Sequence, residues 1–81
     1  MKTEDEIYQI VRKIVAAKAE LEEDAISMDS DFRNDLNISS IVIVSIVLAV
    51  ETEFGLEISD EEIVTLATIG DAVRFILGKQ S

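Results

Sequence analysis

The chain has no cysteine and no histidine. Without cysteine there is no disulfide framework, no thiolate metal site and no thiol nucleophile. Without histidine, the usual general base near neutral pH and the commonest metal ligand are missing. The three glycines, at 55, 70 and 78, are too scattered for a phosphate-cradling loop. Free-standing catalysis is therefore not expected. Basic residues are scarce as well: none stands between Arg33 and Arg74, an interval holding eight acids, and the formal net charge is −10. Such a surface repels nucleic acid and anionic lipid. It attracts a basic patch on another protein, though acidity also serves solubility alone. The opening MKTEDEIYQ is acidic and polar where a secretory signal is basic and then apolar. A cytoplasmic location is expected, or an organelle lumen after processing.

What is present suffices for one small domain over residues 1–81. Of the 81 residues, 48% are hydrophobic and 30% charged, a composition that folds but leaves no room for a second core. The longest apolar run follows two serines. Nine of the ten residues from Ile41 to Val50 are apolar. A membrane helix needs about 20 such residues, and the thirteen positions from Ile38 to Val50 include three serines, so no membrane insertion is expected. Strands usually run about 4–8 residues, and only Gly55 to Ser59 alternates elsewhere, too short to build a partner sheet.

Read as a helix, the run places Ile43, Ile46, Val47, Val50 and Phe54 on one face. Gly55 suits the left-handed position that ends it. Seven β-branched residues between 41 and 50 cost about 3–4 kcal/mol in helix propensity. Burying five large side chains offers on the order of 10 kcal/mol. Burial wins, and the helix is held by tertiary contact.

The remainder reads as helix too. Residues 3–21 carry Ile7, Ile10, Val11, Ile14, Ala17 and Leu21 at helical spacing, opened by the capping box Thr3-Glu4-Asp5-Glu6. Ser59-Asp60-Glu61-Glu62 repeats that device before Ile63, Val64 and Leu66. Thr68-Ile69-Gly70-Asp71 uses its Asp version before Val73, Phe75, Ile76 and Leu77, with Gly78 expected to close the last helix. The polar connection from Glu22 to Asn37 has anchors at Ile26, Met28, Phe32 and Leu36, which are expected to cover one end of a bundle. The fold class is all-α: a four-helix bundle with a short third helix and a long loop between helices 1 and 2.

The helix at Ser39-Ser40-Ile41-Val42-Ile43 differs from the other three. Its first turn has no carboxylate, yet it has the usual unpaired N–H groups and partial positive charge. Such an end favours an anion, commonly phosphate. Ser39 can cap the helix, which puts Ser40 at the first helical position. Both serines acting only as caps is the alternative that the dipeptide leaves open.

Over essentially its whole length the chain resembles acyl carrier proteins. That family carries a stretch of the form D-L-G-x-D-S-L and an E-x-E/D-F ending to the following helix. Here the corresponding residues are Asp35-Leu36-Asn37-Ile38-Ser39-Ser40-Ile41 and Glu51-Thr52-Glu53-Phe54. Ser40 lies five positions after Asp35 and fourteen before Phe54, so two spacings choose the same serine. Ile58-Ser59-Asp60-Glu61-Glu62 is similar to the family's I-P/S-D-E-E, and Thr68-Ile69-Gly70-Asp71-Ala72-Val73 to its T-V-x-D-A-V. The resemblance implies that Ser40 carries 4′-phosphopantetheine, derived from coenzyme A. It implies a phosphopantetheinyl transferase and acyl-processing enzymes of fatty-acid or polyketide-type synthesis as partners, with the chain a monomer. A carrier of aminoacyl or peptidyl groups is a variant, and an unmodified helical adaptor is the alternative.

The chain departs from the family at two places. Ser39 replaces the Asp before the modified serine and Ile41 the Leu after it. Positions 41–50 hold none of the acids that the second helix usually shows to partners. Ile41, Val44, Ser45, Leu48 and Thr52 are expected on the outer face as an apolar docking patch. Asp35, Glu51, Glu53, Asp60, Glu61 and Glu62 rim it.

Overall fold

The structure is a computed structural model and describes residues 2–80. Its helices are α1 (Glu4–Ala19), α2 (Ser40–Phe54), the single turn α3 (Asp60–Ile63) and α4 (Ile69–Lys79), with a 3-10 turn at Glu23–Ala25 in the long first connection. The described residues form no strand beyond one isolated bridge, Asp31 with Thr68, so the all-α bundle expected from the sequence is the fold.

Helix starts follow the capping chemistry. Thr3 Oγ1 accepts from Glu6 N at 3.2 Å while Glu6 Oε1 accepts from Thr3 N at 2.8 Å. Ser59 and Glu62 close the same reciprocal box, as do Thr68 and Asp71. α1 packs against α4 and α2, and Ile7, Val11, Val15, Ile69, Val73 and Ile76 form its most deeply buried layer. Three expectations need correction here. Val15 is fully buried and Ala17 is exposed, because the buried row advances by four residues along the crossing with α4 instead of alternating three and four. α1 ends at Ala19, with Glu20 turning into left-handed backbone at φ 56°. Gly78 does not close α4; it lies within the last turn, which runs to Lys79. The Gln80 side-chain amide reaches the backbone of Lys2, and that tie keeps the helix end in register without a glycine terminator.

The long connection is pinned. Ile26, Phe32 and Ile38 are buried, with Met28 and Leu36 half-buried against the core, so Ile38 joins the four expected anchors. Tyr8 Oη donates to Ile26 O at 3.1 Å. Three backbone bonds then stitch the loop to the approach and first turn of α4: Phe32 N to Ala67 O at 3.0 Å, Ile69 N to Ser30 O at 3.0 Å and Gly70 N to Met28 O at 2.8 Å. A Cβ at Gly70 would lie 2.9 Å from Met28 O, a backbone atom that cannot swing aside.

Two outcomes are expected from these contacts. Gly70→Ala should lose about 1–3 kcal/mol in urea unfolding through overpacking, although alanine inside a helix ordinarily gains about 1 kcal/mol over glycine. Asp71 accepts from the backbone of Thr68 and Ala67 and pairs with Arg74 at 3.2 Å. These bonds, that of Thr68 first, hold its carboxyl below the usual carboxylate range. A depressed folded pKa stabilises the fold at neutral pH, and that share is lost as pH falls through it. Thermal melts of Asp71→Asn should therefore start lower at pH 7 and decline less than wild type as pH falls below about 4.

Candidate functional site

The site is built where the pinned loop meets the start of α2. Asp31 Oδ1 accepts from Arg33 N and Asn34 N, each at 2.9 Å, and Asp35 Oδ2 accepts from Asp31 N at 2.8 Å. Backbone bonds from Asp35 N and Leu36 N to Asp31 O close the turn. Asn37 then takes left-handed backbone at φ 54°. Asparagine tolerates that region far better than other non-glycine residues, which explains its presence where the D-L-G pattern has glycine.

This turn delivers Ser39 and Ser40. Ser39 is in extended backbone and its Oγ accepts from Val42 N at 3.4 Å, the long end of a cap. Ser40 is the first helical residue and is exposed, and the first turn of α2 holds no acid. Arg33 Nη2 donates to Ser40 Oγ at 3.0 Å. Sequence reading missed Arg33. The available signal was that it is the only basic residue between Lys18 and Arg74, but its contact with Ser40 depends on the Asp31 turn.

An exposed hydroxyl, a helix start without carboxylate and a guanidinium beside the oxygen suit a phosphodiester on Ser40. The residues present fit 4′-phosphopantetheine at this position.

Behind the turn lies a mainly apolar cavity of about 390 Å³. α2 contributes Ile43, Ile46, Val47 and Val50, the face expected to be inward, and Phe32, Ile63, Leu66 and Phe75 complete much of the wall, with Asp31, Arg33 and Asn34 from the turn. The inward face of α2 is thus only partly filled by packing, and Ile43 and Val47 are half-buried. Arg33 touches both regions: it lines the cavity and bonds Ser40.

The outer face of α2 is apolar and open. Ile41, Val44 and Leu48 are 83%, 54% and 59% exposed. Thr52 is exposed and donates from Oγ1 to Leu48 O at 3.1 Å, while Ser45 is half-buried. Asp35, Asp60 and Glu61 are exposed, but Glu51 is half-buried and its Oε2 accepts from Ile58 N at 2.8 Å. Val64 adds an exposed apolar side chain, 83% open, just after α3. The one-turn helix ends before Val64 is brought round to the core.

No helix among the described residues is long and apolar enough to cross a membrane. None of their acidic side chains cluster as a metal site.

The family described as phosphopantetheine attachment site matches residues 9–76. Acyl carrier protein 2 of Pseudomonas aeruginosa is 43% identical over 72 residues, covering 89% of this chain and 91% of that protein. The acyl carrier protein of Lactobacillus acidophilus is 38% identical over 78 residues, covering 96% and 98%. Among solved structures, the acyl carrier protein of Enterococcus faecalis superposes with a TM-score of 0.78 at 38% identity, covering 95% of this chain and 98% of that one. With the attachment-site match spanning the helices and the bundle shared in three dimensions, the chain belongs to the acyl carrier protein family, as a carrier and not an enzyme, its cofactor covalent 4′-phosphopantetheine.

Proposed function

We propose that Ser40 is the attachment residue. In this reading the chain, as a cytoplasmic monomer, carries acyl intermediates of fatty-acid or polyketide-type synthesis to partner enzymes. One observation supports the choice of serine above the others: Ser40 Oγ is exposed at the acid-free start of α2, 3.0 Å from the Arg33 guanidinium. Ser39 is spent on its cap with Val42. When bound, the pantetheine arm supplies a thiol that holds acyl groups as thioesters, a function for which a chain without cysteine has no side chain of its own. The cavity behind Arg33 offers an acyl chain an apolar enclosure at the low end of the usual ligand-pocket range, about 300–1,000 Å³.

Ile41, Val44 and Leu48, with Ser45 and Thr52 between and beyond them, form the docking face for the transferase and the acyl-processing enzymes. Asp35, Glu51, Asp60 and Glu61 supply acidity at its rim. Apolar burial provides contact energy that salt does not screen, whereas the acids mainly steer approach.

Intact mass after incubation with coenzyme A and a broad-specificity phosphopantetheinyl transferase tests the attachment. Wild type and Ser39→Ala should each gain one phosphopantetheine unit, and Ser40→Ala none. No gain in any form, with several transferases including the native one, would instead favour an unmodified adaptor, a reading prompted by Ser39 standing where the family has an acid. Docking has its own check in an ionic-strength series with an acyl-processing enzyme. Affinity should fall by less than about tenfold between 50 and 500 mM salt; a steeper loss would show that the acids and not the apolar face dominate.

A further inference from the structure

We infer that Arg33 is the protein's own ligand for the phosphodiester of the prosthetic group, an inference that rests on Ser40 being the attachment residue. The guanidinium already bonds the oxygen that becomes the ester oxygen, at 3.0 Å. Phosphorus attached there brings non-bridging oxygens next to the same planar fork, and they are stronger acceptors than a hydroxyl. Two nearby carboxylates each engage the backbone of the turn through one oxygen. Asp31 Oδ1 accepts from the backbone of Arg33 and Asn34, and Asp35 Oδ2 from the backbone of Asp31. Among the described residues Arg33 makes no ion pair, whereas Arg12, Arg74 and Lys79 pair with Glu23, Asp71 and Glu62.

The sequence around the site supports the same assignment. Arg33 is the only basic residue between Lys18 and Arg74, and it is carried to Ser40 by a turn that its own backbone N–H helps to close. Ser39 supplies no competing charge. An acid at position 39 would sit beside both the guanidinium and the phosphate, drawing off the first and repelling the second. With serine there, the first turn of α2 sets no acid of its own against the pair. The arm's first atoms are then held against the 31–35 turn, on the side where Arg33 lines the cavity.

Unmodified and phosphopantetheinylated forms of wild type, Arg33→Ala and Arg33→Lys provide the test. Complete modification is first established by intact mass, using excess transferase. Melting temperature and the phosphorus-31 chemical shift are then measured in low and high salt. The rise in melting temperature on modification should be about 2–4 °C larger in wild type than in Arg33→Ala. Arg33→Lys should fall between them, and the difference should shrink in high salt. The phosphorus shift of wild type should differ from that of Arg33→Ala in low salt and approach it in high salt. Equal increments and equal phosphorus shifts in fully modified proteins would overturn the role of Arg33 alone. Arg33→Ala that is modified slowly but shows those equal values would also overturn it, assigning the side chain to transferase contact. If wild type gains no mass at Ser40, both the inference and the reading beneath it fall.

Discussion

Three backbone hydrogen bonds join residues 28–32 to residues 67–70, and most of the site's geometry follows from that seam. The long connection has many polar residues and would be costly to order by apolar contact alone. Pairing its N–H and carbonyl groups with the approach to α4 satisfies them without a sheet. Gly70 permits the approach, because only a residue without Cβ brings the α4 backbone within bonding distance of Met28 O. Once the seam is fixed, Phe32 is buried and Asp31 is placed to organise the turn after it. Arg33 and Ser40 meet as a result. A contact far from the serine in chain position thus decides what the serine faces.

The second constraint is electrostatic. A chain with net charge −10 spends several of its acids on local structure: Glu6, Glu62 and Asp71 close capping boxes, and Glu51 holds Ile58 N. The start of α2 is the one long-helix N-terminus left without such an acid. Its partial positive charge is therefore available to an attached phosphate. The outer face of the same helix is apolar, so α2 divides two tasks along its length. Its first residue is suited to the prosthetic group, and the face from Ile41 to Leu48 to contact with partners.

Local chemistry was legible in the sequence, and non-local geometry was less so. Thr3, Ser39, Ser59 and Thr68 were readable as caps because a cap involves residues within one turn. The inward face of α2 was readable from spacing alone. Val15 in place of Ala17 was not, since the buried row depends on the angle at which α4 crosses α1. Gly78 was misread as a terminator because Gln80 reaches Lys2, 78 positions away in the chain. Arg33 went unnoticed for a similar reason: nothing in the sequence says that a side chain seven residues upstream returns to Ser40. The cavity was hidden because periodicity identifies which side chains point inward but not how completely they fill the space.

The lightness of α3 has a mechanical consequence. This single turn has no fully buried residue, while the layer formed by Ile7, Val11, Val15, Ile69, Val73 and Ile76 is closed to solvent. Ile63 and Leu66 nevertheless supply part of the cavity wall. Close-packed interiors resist deformation, and sparsely packed segments yield first. In the carrier reading proposed above, a cargo entering the cavity would be accommodated by yielding of the 60–66 segment, against the more closely packed α1–α4 floor. The bundle would then behave as a vessel with one compliant side, across which the Glu62–Lys79 pair at 3.2 Å is one tether.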